Sequence, residues 1–228
     1  MAGAVKGYYV ILVMPETMSV ERRRLLKAYG AELVLTPGCL GMKGAIAEAE
    51  EIVNGNPEAW MPMKFENKAN LKIYSKITAN KILADFPDGI DIMLAGVGTG
   101  GHISGVGRIL KERYLQIKIV AVEPADSPVI SCGSPGPHKI QGIGAGFIPG
   151  NLNRRICDFV IQVRNEYAYE MTREAASQEG LLAGISTGTS LHAVRILTGE
   201  AQDPLRILCF AYDSGERYLS VEDLWNPA

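Results

Sequence analysis

The segment Leu94-Ala-Gly-Val-Gly-Thr-Gly-Gly-His102 is the most informative about the fold of this 228-residue chain, because it joins a predicted strand to a predicted helix. The apolar run over 90–94 predicts the strand, and the apolar spacing over 103–114 predicts the helix. Such a junction offers bare backbone amides and the positive end of a helix, so a phosphate group is its natural ligand. A tight turn without a ligand is the alternative, but four glycines in six positions exceed what a turn requires.

The segments on either side of this glycine loop alternate between strand and helix patterns. Further strands are predicted over 8–13, 31–35, 117–122, 159–163 and 206–211. Further helices are predicted over 20–29, 44–53, 70–84, 166–179 and 189–197. We expect Ser19 to cap the helix over 20–29 and Gly30 to end it. The alternation predicts an α/β fold with a parallel sheet, and the long Gly- and Pro-rich loop over 127–153 is of a length typical of binding segments.

The overall composition excludes several classes of function. The chain is 47% hydrophobic, and its 23 Lys and Arg residues nearly balance 25 Asp and Glu residues, so no field is strong enough to gather nucleic acid or anionic lipid. The apolar run near the start is too short to span a bilayer, and we expect a cytoplasmic protein. The four cysteines are far apart, which predicts reduced thiols and no metal site.

The glycine loop also fits a nicotinamide dinucleotide. Gly96, Gly98 and Gly101 satisfy G-x-G-x-x-G, and Glu123 follows at the distance expected of a ribose-binding carboxylate. This motif usually lies in the first strand–helix unit of a dinucleotide domain, whereas several units precede it here. The neighbouring sequence therefore has to decide between the two ligands.

Several segments, in the same order along the chain, resemble the cysteine synthase family. The most diagnostic is Pro137-His-Lys-Ile-Gln-Gly-Ile-Gly-Ala-Gly-Phe-Ile-Pro149. Others lie at 14–19, 21–28, 41–46, 98–101, 184–188 and 214–220. The resemblance implies pyridoxal phosphate as cofactor and the three-layer, parallel-sheet fold of the tryptophan synthase β-like enzymes. It also implies a small mobile domain over 1–61 and a large cofactor-binding domain over 62–228.

The same resemblance implies a role for individual residues. Gly98, Thr99, Gly100 and Gly101 would hold the cofactor phosphate through backbone amides and the Thr99 hydroxyl. Ser186 would hydrogen-bond the pyridine nitrogen, the alternative being a helix cap. Gly142, Ile143 and Gly144 would line the substrate cleft.

The chain also departs from the family pattern. The resemblance implies that the Schiff-base lysine and the carboxylate-binding loop lie ahead of the matching region, so we expect this chain to correspond to the C-terminal part only and to carry no catalytic residue. Neither Lys43 nor Lys139 stands at the Schiff-base position. Lys64 replaces a glutamine that assists the substrate carboxylate, and His102 replaces a phosphate-binding threonine. His102 would either donate to phosphate, with a charge that varies near neutral pH, or face solvent at the helix end.

These features leave several functional hypotheses open. The first is a truncated homologue, not competent alone for β-replacement of the acetate of O-acetylserine by sulfide, with weak or no cofactor binding. The second is half of a split enzyme, completed by an N-terminal fragment. The third is a non-catalytic interaction protein that keeps a homodimer surface and competes for partners such as serine acetyltransferase. A nicotinamide-binding protein is the most remote.

Overall fold

The computed structural model describes residues 1–226, which form two compact units. The first comprises Met1–Pro62 together with the segment from Ser214 onward, and the second is Met63–Asp213. The family's domain division, expected over 1–61 and 62–228, stays a prediction, and its last two residues lie outside the described part. No helix within residues 1–226 is both long enough and apolar enough to cross a membrane.

The first unit is built on two parallel strands and three helices. Its strands are β1 (Ile11–Pro15) and β2 (Glu32–Thr36), and its helices are α1 (Ala2–Val5), α2 (Val20–Ala28) and α3 (Gly41–Asn54). Ser19 occupies the N-cap position of α2, but its side chain makes no cap hydrogen bond. Gly30 has a φ of +79°, so the predicted left-handed stop after α2 is confirmed.

The second unit holds a four-stranded parallel sheet in the order β5-β4-β3-β6. Its strands are β3 (Ile92–Gly96), β4 (Lys118–Pro124), β5 (Phe159–Val163) and β6 (Ile207–Leu208). Its helices are α4 (Lys68–Ile73), α5 (Ala79–Asp85), α6 (Gly101–Arg113), α7 (Asn165–Glu179) and α8 (Ile185–Glu200). The parallel α/β arrangement predicted from the sequence is confirmed.

The central strands β3 and β4 are almost entirely buried, since only Gly96 and Lys118 of the two retain more than slight exposure. Near-continuous apolar runs are what a parallel strand needs when helices cover both faces of its sheet. Met93, Ile119 and Val106 have no exposed surface, and they belong with α5 and α6 to one hydrophobic core. This core fixes the end of β3, where the glycine loop begins.

The predicted helix over 70–84 is instead three consecutive helical segments. A π-helical turn, Tyr74–Thr78, separates α4 from α5. The Ser75 hydroxyl oxygen lies 3.2 Å from the carbonyl oxygen of Leu71 and 3.0 Å from that of Gly105, so its one hydrogen is donated to either acceptor or shared between them. The widened turn therefore lies against the backbone of α6, where a π-bulge accommodates a close helix contact.

Several predicted bounds were wrong. The strand predicted over 8–13 begins only at Ile11, with Tyr8 and Tyr9 exposed, and the strand predicted over 206–211 is only two residues long. Helix α8 starts four residues earlier than predicted. The prediction missed its first turn, Ile185 to Gly188, because that turn lacks apolar periodicity. The strand Phe159–Val163 has the predicted bounds.

Candidate active site

The phosphate cup, residues 98–101, connects β3 to the first turn of α6. Gly100 is left-handed, with φ +78°, and directly precedes the helix. A Cβ on Gly98 would lie 2.7 Å from the carbonyl oxygen of Gly142, and a Cβ on Gly100 would lie 2.6 Å from Cβ of Leu152. A Cβ on Gly101 would collide with Oδ1 of Asn70. The glycines bring a bare backbone to the positive end of α6, which suits a phosphate.

Thr99 is held from the side by Asn70. Its hydroxyl donates a hydrogen bond to Asn70 Oδ1 at 3.3 Å, and the same oxygen lies against Gly101. To donate to phosphate as predicted, the Thr99 hydroxyl would have to give up this long hydrogen bond to Asn70 or share its hydrogen between the two acceptors. Sequence reasoning missed Asn70, because the residue lies about 30 positions before the cup, and no local pattern links the two.

The cleft loop, residues 142–144, packs directly on the cup. The Gly144 amide donates to the carbonyl of Val97 at 3.0 Å. Gly142 and Gly144 have φ of +100° and +68°, conformations that glycine adopts readily. Ile143 is 7% exposed, and a Cβ on Gly96 would lie 2.9 Å from its Cγ2. The side chain of Ile143 thus packs against the end of β3, and the predicted role of the loop in lining the substrate cleft stays a prediction.

Ser186 lies in the first turn of α8 and is 4% exposed. The N-cap residue is Gly184, so the alternative that Ser186 caps the helix is wrong. A Cβ on Gly142 would lie 3.8 Å from Ser186 Oγ, which puts the hydroxyl beside the cleft loop. The neighbouring Thr187 hydroxyl is 2% exposed and has no hydrogen-bond partner among the described residues. Two hydroxyls therefore lie buried at this helix end, near the loop that contacts the cup.

His102 follows the cup, but its ring is surrounded by aromatic rings. The ring centroids of Tyr74, Phe210 and Tyr212 lie 5.0, 4.3 and 5.7 Å away, all near edge-to-face geometry. Burial lowers the pKa of His102 to about 4, so the ring is neutral at physiological pH. His102 is therefore not a solvent-facing helix end, and the expected change of charge near neutral pH was wrong, while the expected hydrogen bond to phosphate stays a prediction.

Glu123 is engaged in holding the loop that follows β4. Its carboxylate accepts hydrogen bonds from the backbone amides of Ile130 (2.7 Å) and Ser131 (2.9 Å) and from the Ser131 hydroxyl (2.5 Å). The side chain is 1% exposed. A carboxylate saturated in this way is not available to a ribose, which removes the main support for the dinucleotide interpretation of the glycine loop.

The remaining candidate groups do not add a reactive centre. Lys64 places its ammonium 4.8 Å from the centre of the Phe65 ring, and the backbone amide of Lys139 donates to Asn165 Oδ1 at 2.8 Å. All four cysteines are free thiols, and burial raises the pKa of Cys157 to about 11. Within residues 1–226, no group of three or more His, Cys, Asp or Glu side chains could hold a metal ion.

Comparison with known proteins places the chain in one family. The family of pyridoxal-phosphate-dependent enzymes matches residues 1–213. The chain belongs to this family. It is 54% identical over 184 residues to a cysteine synthase of Flavobacterium sp., covering 81% of this chain and 60% of the relative. It is 52% identical over 219 residues to cysteine synthase of Staphylococcus aureus, covering 96% of this chain and 70% of the relative.

Solved structures of pyridoxal-phosphate enzymes superpose on nearly the whole chain. O-acetylserine sulfhydrylase isoform 3 of Entamoeba histolytica gives a TM-score of 0.89 at 41% identity, covering all of this chain and 68% of the other. An O-ureido-L-serine-bound mutant of O-ureido-L-serine synthase gives 0.96 at 36% identity, covering all of this chain and 71% of the other. The expected fold class is therefore confirmed, and the family's cofactor is pyridoxal phosphate.

The residues present fit this cofactor. The cup supplies a glycine cradle at the start of a 13-residue helix, and the buried Ser186 hydroxyl lies beside Gly142 of the cleft loop, with buried Thr187 next to it in the chain. The phosphate, with its negative charge, suits the helix end, and a neutral hydroxyl suits a ring nitrogen. The assignment of individual residues to the cofactor stays a prediction.

Proposed function

We propose that this chain supplies the cofactor-binding part of a cysteine synthase-type enzyme, which replaces the acetate of O-acetylserine with sulfide to give cysteine and acetate. The cysteine synthases of Flavobacterium and Staphylococcus support this reaction class, since both exceed 50% identity over most of the chain. The chain spans 60% and 70% of those two relatives, so the activity of a complete enzyme is proposed for the chain together with further residues.

The contact between the cup and the cleft loop carries the proposal. The Gly142 carbonyl leaves no room for a side chain on Gly98, and a Cβ on Gly142 would lie 3.8 Å from the Ser186 hydroxyl oxygen. One short loop thus joins the phosphate-binding backbone to the buried serine. This arrangement sets a fixed separation between an anion site and a hydroxyl, as a phosphorylated ring requires.

Each part of the site has a distinct task. Backbone amides of the cup would hold the phosphate, and the Ser186 hydroxyl would bond the pyridine nitrogen without adding a charge. The bound cofactor supplies an electron sink that eases departure of acetate from the β-carbon of the substrate. A neutral serine moderates that sink, which suits β-replacement. The backbone of the cleft loop would orient the substrate amino group, and Ile143 would keep that loop seated.

We further propose that residues 1–228 do not turn over O-acetylserine by themselves. The family resemblance assigns the lysine that binds the cofactor covalently to a segment outside these residues. Covalent capture and proton transfer both depend on that amine. The segment can be further residues of the same protein or a separate chain, and both arrangements predict the same dependence on it.

Cofactor binding tests the first proposal. Residues 1–228 and the variants Gly98→Ala and Gly199→Ala would be titrated with pyridoxal phosphate, and free and bound cofactor separated by equilibrium dialysis. We expect Gly98→Ala to weaken binding at least about tenfold, because its Cβ displaces the Gly142 carbonyl. Gly199→Ala is the control, since nothing lies within 4 Å of its Cβ. Equal affinities for all three proteins would contradict a phosphate site at the cup.

Complementation tests the second proposal. Cysteine formation from O-acetylserine and sulfide would be measured for residues 1–228 alone and after adding the N-terminal fragment of a cysteine synthase that carries the lysine. We expect turnover only in the mixture. Turnover by residues 1–228 alone would overturn the proposed dependence, and no turnover in a mixture that demonstrably assembles would overturn the proposed reaction.

A further inference from the structure

His138 is joined to the cleft loop by one short hydrogen bond. Its Nε2 lies 2.8 Å from the carbonyl oxygen of Gly144. A carbonyl only accepts, so Nε2 carries the hydrogen and Nδ1 of the neutral ring is the unprotonated nitrogen. Nδ1 is buried and has no hydrogen-bond partner among residues 1–226. The imidazole thus makes one directed contact, and that contact is with the loop.

Gly144 is closely packed between Pro124 and His138. A Cβ at this position would lie 2.6 Å from Cγ of Pro124, at the end of β4, and 2.7 Å from Nε2 of His138. Its amide donates to the Val97 carbonyl at 3.0 Å. The carbonyl of one residue therefore bonds His138, while its amide bonds the residue that precedes the cup.

The restraint on Gly144 acts on the cup through Gly142, which belongs to the same loop. The Gly142 carbonyl lies against Gly98, so any shift of the cleft loop changes the space beside the cup backbone. Gly142 and Gly144 both have positive φ, and such glycine backbone is free to move unless its neighbours hold it. His138 supplies the side-chain bond that restrains Gly144.

We propose that His138 is a positioning residue: it fixes the cleft loop against the phosphate cup and thereby sets the affinity of the cup for a phosphorylated ligand. The ligand part of this proposal rests on the proposed function. The restraint on the loop does not, because it concerns backbone geometry alone. The two parts are tested by separate measurements.

Hydrogen exchange tests the restraint. The variants would be His138→Leu, which removes the donor, and His138→Gln, whose side-chain amide keeps one. His192→Leu is the matched control, because His192 lies in α8, stacks on Tyr167 of α7 and does not bond the loop. Amide exchange at Gly144 would be compared with exchange at Ile119, whose amide donates to Asp158. We expect His138→Leu to speed exchange at Gly144 about tenfold, with Ile119 unchanged and His138→Gln close to wild type.

Failure would be visible in either direction. If His138→Leu leaves exchange at Gly144 unchanged, or if His138→Gln speeds it as much as His138→Leu does, the restraint is not the hydrogen bond and the proposal fails. If Ile119 speeds up equally, the leucine has loosened the whole unit, and the glutamine variant then decides by its rescue or lack of it.

Ligand affinity tests the consequence. Binding of pyridoxal phosphate to the same proteins would be measured by dialysis, and we expect His138→Leu to bind about five- to tenfold more weakly, with His138→Gln and His192→Leu within twofold of wild type. Faster exchange at Gly144 with unchanged affinity would overturn the link between loop and cup. If the wild type itself binds no pyridoxal phosphate, the proposed function fails, while the exchange result still decides the restraint.

Discussion

His102 shows how strongly a single side chain depends on residues distant in sequence. Its neighbours Phe210 and Tyr212 come more than 100 positions later, so the sequence around the cup gives no hint of them. Glu123 is the opposite case: its partners Ile130 and Ser131 are close in sequence, but they lie in an irregular turn that no periodicity predicts. Motifs were therefore enough to predict a role for individual residues, which stays a prediction, but they did not predict the partners of each residue.

The buried state of His102 predicts a pH-dependent stability. Its pKa falls from 6.5 to about 4 in the folded chain, so between these values the unfolded chain binds the extra proton. Stability is therefore full above about pH 6.5 and decreases as the pH falls toward 4. At pH 5 this group alone lowers the free energy of unfolding by about 2 kcal/mol relative to its value at pH 7.

The change His102→Phe keeps an aromatic ring and removes the titration. Urea unfolding at pH 7 and pH 5 would be measured for both proteins. Between pH 7 and pH 5, we expect the free energy of unfolding of the wild type to fall by about 2 kcal/mol more than that of the variant. Tyr212 also faces the ring, and because burial raises its pKa it does not titrate in this range. Equal losses in both proteins would mean that His102 is protonated in the folded state at pH 5.

At the scale of elements, α6 is held by backbone contact as well as by side chains. A Cβ on Gly105 would lie 2.6 Å from the Leu71 carbonyl oxygen and 3.0 Å from Cβ of Tyr74. Gly101, one turn earlier, meets Asn70 in the same way. The apolar spacing of α6 was enough to predict the helix, but the π-turn that receives it depends on this contact and was not predictable from the sequence of either segment.

Alanine should have opposite effects at Gly105, which makes this contact, and at Gly199, which has open space beside it. Gly105→Ala should lower the free energy of unfolding by about 1–3 kcal/mol, because the added methyl group separates α6 from α4. Gly199→Ala, in an open position of α8, should raise it by up to about 1 kcal/mol through helix propensity. Thermal unfolding of the two variants and the wild type checks the signs. If Gly105→Ala leaves the free energy of unfolding unchanged or raises it, α6 and α4 can separate without loss of stability.

At the scale of the whole molecule, the second unit carries the hydrophobic core that shapes the site. Every member of that core lies within Met63–Asp213, and so do the cup, the cleft loop and Ser186. The alternation of apolar strands and helices predicted this parallel fold. It did not predict that residues from Ser214 onward pack with the first unit, since chain order alone does not show where a C-terminal segment returns.

We expect a chain comprising only residues 63–213 to fold cooperatively. Its core is complete, and a domain of this size should unfold with an enthalpy of about 100 kcal/mol near 60 °C. Circular dichroism would follow the thermal transition, with the full chain as reference. A broad, non-cooperative transition would show that the first unit is required for the fold of the second.

The glycines of the cup are also constrained by packing within the fold, with or without a ligand. Gly98, Gly100 and Gly101 are each blocked from behind by Gly142, Leu152 or Asn70. Selection for a stable protein would therefore preserve the motif in descendants that had stopped binding a cofactor. Replacing Ser186 with alanine removes one oxygen and adds no atom, so that position can drift once binding is lost. Among relatives of this chain, the residue at position 186 is thus a better record of a working site than the glycines beside it.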